Sequence, residues 1–559
     1  MSSQIKSSQV KVGDAVITST SSGTAINLPS GTEIAGETLN GVLISTANLG
    51  AGTNALSSLT IGGQNTGLGI NALPALTTGG ANTAVGNESL LVLDGGTHNT
   101  SIGQRSQKRN YSGGDNTSIG YESLSNLISG DRNTAVGAFC LTQNTADFNV
   151  GCGWGCLTQN TSASFNTAVG YRSLYNTKTG GSNTASGYEA LYTNTASFNT
   201  AHGTQALHVN SSGAGNVAVG YQASYFGNGD YNTGVGYQAF FSGVGDYNTG
   251  VGYNALYQNT ASNTTAVGAS ALEVNTGDFN TAMGYESLKG NTSGTSNTAM
   301  GYESLKGNTS GNSNTATGYQ ALFTNSINIK NTAMGYYALK NSAANHNTAF
   351  GSEALVANTG GARNTAVGSD ALTANTGGTQ NVAVGNNAGL YIDTGSQNTC
   401  LGVDSARRLV SGSNNTFIGF EAGKLGPTGA TGAATSNSVV LGNIGITFAY
   451  CQVAFSSASD RRIKKDIEVI DWSASDYINK IQPVSYRLKN EHDCCVKRVG
   501  FIAQELKDIE DEMGLTDVCV DTSDDQLYKL KINSIVAVLV NAVKELGAKI
   551  ETLESNTSK

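Results

Sequence analysis

At 559 residues the chain is longer than one ordinary domain, and only 13% of it is charged, where about a quarter is usual. Its 72 glycines follow no every-third pattern, which excludes a collagen rod, and its apolar positions recur on a fixed period, which disordered chains lack. A net charge of −9 without an extended basic patch gives no reason to expect nucleic acid, and no run reaches the roughly 18 apolar residues of a membrane span.

The start, Met1 to Lys6, leads into no apolar signal core, so ordinary secretory export is not expected. Eight cysteines in a chain of this length are no disulfide framework. Cys152 and Cys156 flank Gly-Trp-Gly and Cys494 and Cys495 are adjacent, but neither pair has a second pair or nearby histidines to make a zinc site. They read as free structural thiols of a protein made in a reducing cytosol, with no metal or cofactor.

Residues 1–60 are rich in Ser, Thr and Gly, with short alternating apolar stretches such as Gln9 to Val12 and Ala15 to Ile17. Two readings stand side by side: a small β-rich attachment module, or an arm that folds only against a partner.

Residues 61–445 repeat. Asn82-Thr-Ala-Val-Gly86, Asn133 to Gly137, Asn166 to Tyr171, Asn280 to Tyr285 and Asn364 to Gly368 share one motif, followed two residues later by Ala-Leu or Ser-Leu, as at Ala190-Leu191 and Ser304-Leu305. One register runs from Asn65 to Asn415 in steps of 16 or 17, with Thr264 replacing Asn once. Thr-Ala-Val-Gly alternates and is too short and too Gly-bounded for a helix, so it predicts a strand. Asn and Gly are expected at positive-φ corners, with Val, Ile or Met and Leu as internal ladders. A unit this small buries an apolar face only by stacking. The predicted shaft is a β-solenoid or β-roll, one repeat per coil. Two other arrangements remain open, three chains interleaved around one core or three separate solenoids side by side. At about 4.8 Å per coil it would be roughly 100 Å long. In its short motifs it resembles the heads of trimeric bacterial adhesins.

Two side-chain series accompany the repeat. Tyr follows the motif Gly at Tyr121, Tyr171, Tyr188, Tyr221, Tyr237, Tyr253, Tyr285, Tyr302, Tyr319 and Tyr336. Such a stripe could bind sugar faces, but ring packing between coils or at a trimer seam is the preferred reading. Glu recurs at Glu88, Glu122, Glu189, Glu286, Glu303 and Glu353. A regular ladder offers no cleft for a glycosidase carboxylate pair, so these read as solvated.

The repeat decays through the link Leu425 to Gly432, and Asn437 to Gly442 is expected to be a last degenerate repeat. A neck, 446–458, follows. From Ser459 the composition changes: 15 of the 31 Lys and Arg and 19 of the 40 Asp and Glu lie in 459–559. Asp476 to Ile481 and Ala503 to Met513 are predicted helices, with a strand at Val484 to Leu488 between them. In 530–559, Val536, Leu539, Val543, Leu546, Ile550 and Leu553 keep the spacing of a coiled-coil seam, with β-branched residues alternating with Leu as in a small parallel bundle.

The octet Ser459-Asp-Arg-Arg-Ile-Lys-Lys-Asp466, then Gln482 to Arg487, then Gly500-Phe501-Ile502-Ala503-Gln504-Glu505-Leu506, resemble in order the motifs of the S74 family. This is the self-cleaving intramolecular chaperone at the C-terminus of viral endosialidases and tail fibres. The resemblance covers about the last hundred residues. It implies an α+β chaperone/peptidase domain at 459–529 behind a mainly β trimeric shaft. It also implies Ser459 as nucleophile, Lys464 as its base and Ala458–Ser459 as the scissile bond, with Asp460, Gly500, Phe501, Gln504 and Glu505 as motif residues. Ser-Lys dyads are an established variant of serine catalysis; this one would turn over once per chain. The function so expected is that of a homotrimeric viral or phage fibre, assembled in the host cytoplasm, carried on the virion or tail and engaging a cell-surface glycan or receptor. The alternative is a bacterial or cellular surface adhesin with a non-cleaving chaperone domain. A signal peptide and a C-terminal membrane barrel, which that reading would need, are not seen. A tethered transcription factor would need a DNA-binding region, and a polysaccharide-degrading tailspike a catalytic insertion; neither is seen.

Overall fold

The computed structural model describes residues 47–423, 434–443, 464–487, 497–522 and 528–558, with Arg461 and, as backbone strands, parts of 9–44. The chain divides into two compact units, 1–346 and 347–559.

The first unit opens with an antiparallel meander. Gln9–Val12, Ala15–Thr20 and Gly23–Asn27 pair in succession, and Val42–Ile44 joins Gly23–Asn27 to Asn48–Ala51. The direction then changes. Asn48–Ala51 pairs in parallel with Asn65–Leu68, and from there each three-residue strand lies parallel and in register on the next, Thr83 on Thr100, Ala84 on Ser101, Val85 on Ile102. The ladder continues to Thr332–Met334. Every rung pairs with the next rung of the same chain, one repeat per coil, so each coil closes its own core. A shorter parallel sheet, Phe226–Gly227 to Val274–Asn275, runs along another side.

Which residues face inward differs from the expectation. The middle residue of the strand is buried (Ala84, Ala135, Ala168, Ala282), as are the corner leucines Leu90, Leu141 and Leu174. The third position points outward: Ile119 is 39% exposed, Val169 43% and Met283 44%. Leucines from the corners already fill the interior of these coils, so only a small side chain fits beneath the strand; Phe417 takes that position where Gly423 stands in place of the corner leucine. Val, Ile and Met therefore form an external ladder, not an internal one.

The motif Asn is likewise not a corner residue. The positive-φ positions of one coil are Ala81 (φ 58°), Gly86 (131°), Glu88 (58°) and Leu90 (51°), and Asn82 is not among them. Gly86 is required twice over, because a Cβ there would also lie 2.6 Å from the Gly103 carbonyl oxygen of the next coil. Asn82 is wholly buried. Its Nδ2 donates to the Gly96 carbonyl at 2.8 Å and to Asn65 Oδ1 at 3.1 Å. A second buried amide series, unremarked in the sequence, includes Asn275, Asn291, Asn308 and Asn325, each Nδ2 donating to the preceding Oδ1 at 2.7–3.0 Å.

The rings stack between coils as expected: Tyr285 on Tyr302, Tyr302 on Tyr319 and Tyr319 on Tyr336, at 5.1–5.4 Å. The rings cover one another's faces and present their edges outward. The glutamates are not simply solvated. Arg105 bridges Glu88 and Glu122 at 3.2 Å each, and Lys306 lies 2.5 Å from Glu286 and 2.6 Å from Glu303.

In the second unit the same rungs run from Thr348–Phe350 to Thr416–Ile418. Val439–Leu441 adds the expected last rung. Ser438, not Asn437, occupies the ladder position, its N–H donating to Asn415 Oδ1 at 3.0 Å. Among the described residues three helices follow: α1 (Ala474–Lys480), α2 (Ala503–Glu512) and α3 (Ile532–Thr557). Hairpins Val484–Tyr486 with Arg498–Gly500, and Val520–Asp521 with Lys529–Leu530, complete this α+β region. Among the described residues no helix is long and apolar enough to cross a membrane.

Candidate functional site

The expected chemistry sits at the start of the charged C-terminal segment. Ala458, Ser459 and Asp460 lie outside the described residues. Lys464 is described and exposed, its N–H donating to the Arg461 carbonyl at 3.3 Å in a turn. The neck and Cys451, Cys494 and Cys495 also lie outside the described residues.

The two downstream motifs come together. Gln482 to Arg487 supplies one strand of a β-ribbon and Gly500 ends the other, with Val484 opposite Gly500 and Tyr486 opposite Arg498. Gly500 lies against the Tyr486 ring, where a Cβ would come 3.1 Å from Cε1. Phe501 turns into the domain's apolar cluster, lining with Ile478, Ile481, Pro483, Ile535 and Leu539 a groove of about 160 Å³. Gln504 and Glu505 are exposed at the start of α2, and Leu506 is buried.

Two carboxylates that the sequence reading did not single out hold this region together. Glu510 is wholly buried. Its Oε1 accepts from Tyr477 Oη at 3.1 Å and from the N–H groups of Cys519 and Val520 at 2.6 and 3.2 Å. One side chain thus ties α1, α2 and the last hairpin. Burial raises the Tyr477 hydroxyl and the Cys519 thiol above their ordinary pKa ranges, which keeps both neutral beside it. Glu545, on α3, accepts the N–H groups of Ala474 and Ser475 at 2.9 Å each. These bonds at the start of α1, that of Ser475 foremost, lower its pKa. Neither role has a periodic signature in a segment dense with acids. The spacing of Ser473 before α1 is the only local hint, since Ser473 Oγ caps the helix by accepting the Asp476 N–H.

Helix α3 has two working faces. Ile535, Val538 and Ala542 are buried against α1 and the hairpin. Val536, Leu539, Val543, Leu546, Ile550 and Leu553 all lie on the exposed side, between 46% and 64% accessible. The predicted seam is therefore helical and outward-facing, and of its residues Leu539 also borders the groove beside Phe501 and Ile535.

Residues 459–515 match the family model Peptidase_S74, the chaperone of endosialidase. No curated protein matches the chain. The matched segment contains all three motifs and ends just after α2, directly behind the solenoid and its neck.

Proposed function

We propose that the chain is a homotrimeric fibre of a virus or phage. In this reading its C-terminal domain aligns three chains, folds their shafts and then cuts itself away between Ala458 and Ser459. The observation that carries this is the chaperone-family match immediately behind a solenoid of near-identical coils. Any rung of such a solenoid pairs almost as well one coil out of register, so three chains need a device that fixes a common start. The outward seam of α3 supports association through a parallel three-helix bundle. In this reading the three shafts stand side by side, an arrangement supported by coils that each close on their own chain. The external Val, Ile and Met ladder and the tyrosine edges are then available to neighbouring shafts or to a host-surface receptor.

Cleavage proceeds by attack of Ser459 Oγ on the Ala458 carbonyl carbon, with neutral Lys464 taking the hydroxyl proton and passing it to the departing Ser459 nitrogen. The resulting ester is hydrolysed by water, leaving a carboxylate on Ala458 and a free amine on Ser459. Lys464 is exposed in the single chain, so trimer assembly supplies the burial that makes it a base. This orders the events: folding first, cutting second. A chain ending at Ala458 tests the chaperone role. It should aggregate, whereas the same shaft made with 459–559 attached should be soluble and trimeric by light scattering. A soluble trimer from the truncated chain would overturn the reading.

A further inference from the structure

Two thiols meet inside the solenoid. Cys140 and Cys156 occupy the position just before a core leucine on adjacent coils, where other coils carry Ala190 or Ala206. Both are wholly buried, and their Sγ atoms are 2.8 Å apart, inside van der Waals contact but unbonded. The backbone holds them in place, the Leu141 N–H donating to the Cys156 carbonyl at 2.8 Å. The strand residue facing them is Gly151. A Cβ there would lie 2.4 Å from Cys140 Sγ and 3.1 Å from Cys156 Sγ, so the alanine usual at this position would collide with the sulfur pair.

We infer that Cys140 and Cys156 are a built crosslinking site, reduced when the shaft folds and converted to a coil-to-coil disulfide when it meets a peroxide oxidant. Both cysteines lie in the turn after their strand, and coils stacked at the roughly 4.8 Å spacing of their strands bring equivalent turn residues within the Cα separation a disulfide spans. Cys152 is no competitor: it is exposed on the outer face of its strand, whereas Gly151 faces the pair.

The chemistry balances with hydrogen peroxide, which is small and uncharged enough to enter a breathing coil. One sulfur, having given its proton to water, attacks a peroxide oxygen. The O–O bond breaks, the sulfur becomes a sulfenic acid, and the departing hydroxide takes up a proton to become water. The second sulfur attacks the sulfenic sulfur, its own proton leaving with the displaced hydroxyl as a second water. Two thiols and one peroxide become one disulfide and two waters. Burial, and then the neighbouring Cys156, push the Cys140 thiol well above its ordinary range, so the pair reacts slowly. The bond closes a loop between residues 16 apart, restricting the unfolded chain and locking two coils together.

The test uses the full chain, reduced, desalted and exposed to hydrogen peroxide, then denatured in N-ethylmaleimide, digested and weighed. The inference predicts a peptide pair joined through Cys140 and Cys156, lighter by two hydrogens and separated by dithiothreitol. It also predicts a shaft melting transition several degrees higher after oxidation than before. Cys140→Ala, which installs the residue found at equivalent coils, should fold, melt like the reduced protein and show no shift with peroxide. Recovery of both cysteines alkylated after peroxide, a Cys152 crosslink, or sulfinic acid at Cys140 or Cys156 in place of the bond would overturn it.

Discussion

Asn82 Oδ1 accepts the backbone N–H of Asn99 at 3.0 Å, while Asn82 Nδ2 donates to the Gly96 carbonyl at 2.8 Å. One buried amide thus clamps the next coil at two points, and the arrangement recurs along the ladder, though at Asn166 only the acceptor half is kept, its Nδ2 having no partner. No other short side chain carries an acceptor and a two-proton donor on one planar group. Asn82→Ala should leave several buried partners unsatisfied and cost about 2–4 kcal/mol, read as a lower shaft melting transition with unchanged C-terminal helix content by circular dichroism.

Thr264, a departure inside the ladder, gives the reverse prediction. The Thr264 N–H still donates to Asn248 Oδ1 at 3.0 Å, but Thr264 Oγ1 donates back to the Ser262 carbonyl at 3.3 Å. Thr264→Asn should restore the clamp and stabilise the shaft by about 0.5–1.5 kcal/mol. A differential melt of the two proteins under identical conditions checks it.

The Glu286 cluster makes the shaft pH-sensitive in a defined window. Hydrogen bonds from Lys289 and then Lys306 lower the Glu286 carboxyl from 4.5 to about 2. A carboxyl depressed in the folded state contributes stability above its unfolded pKa and loses it as pH falls through the folded value. The melting temperature should therefore decline between about pH 4.5 and pH 2. In Glu286→Gln that part of the decline should be missing, while stability at neutral pH falls.

The proposed trimer puts association on the exposed seam of α3 and folding on its buried face. Leu546 is 48% exposed and absent from the cluster that buries Ile535, Val538 and Ala542. Leu546→Lys should retain the helical signal of the C-terminal region yet shift the particle from trimer to monomer by light scattering, and uncut chains should accumulate. A Leu546→Lys trimer that still cleaves would remove α3 from the account.

The repeat period, the solenoid, the last rung before Gly442 and the composition break at Ser459 were all legible in the sequence, because each is a pattern in residue type along the chain. Facing was not. In a three-residue strand Thr-Ala-Val, hydrophobicity favours Val inside, but corner leucines occupy the interior and leave room only for Ala84 and its equivalents. The motif Asn looked like a corner because Asn tolerates positive φ, yet the corners fall on Glu88 and Leu90. At the C-terminal domain the strand at Val484 and the α3 seam follow from alternation and heptad spacing, whereas the pairing of that strand with Arg498–Gly500 does not. Glu510 and Glu545 do not, because their partners, backbone N–H groups and for Glu510 also the Tyr477 hydroxyl, are brought near only by the fold.

The mass of the protein after folding tests the central claim most directly. The account predicts that the wild-type chain yields a trimeric shaft ending at Ala458 and a released fragment whose N-terminal sequence reads Ser459-Asp460-Arg461. Ser459→Ala should give a full-length trimer, Lys464→Ala nearly the same, and Lys465→Ala should still cut. Wild-type chains that remain full length once folded and trimeric, or a Ser459→Ala protein that is still cut at Ala458, would contradict it.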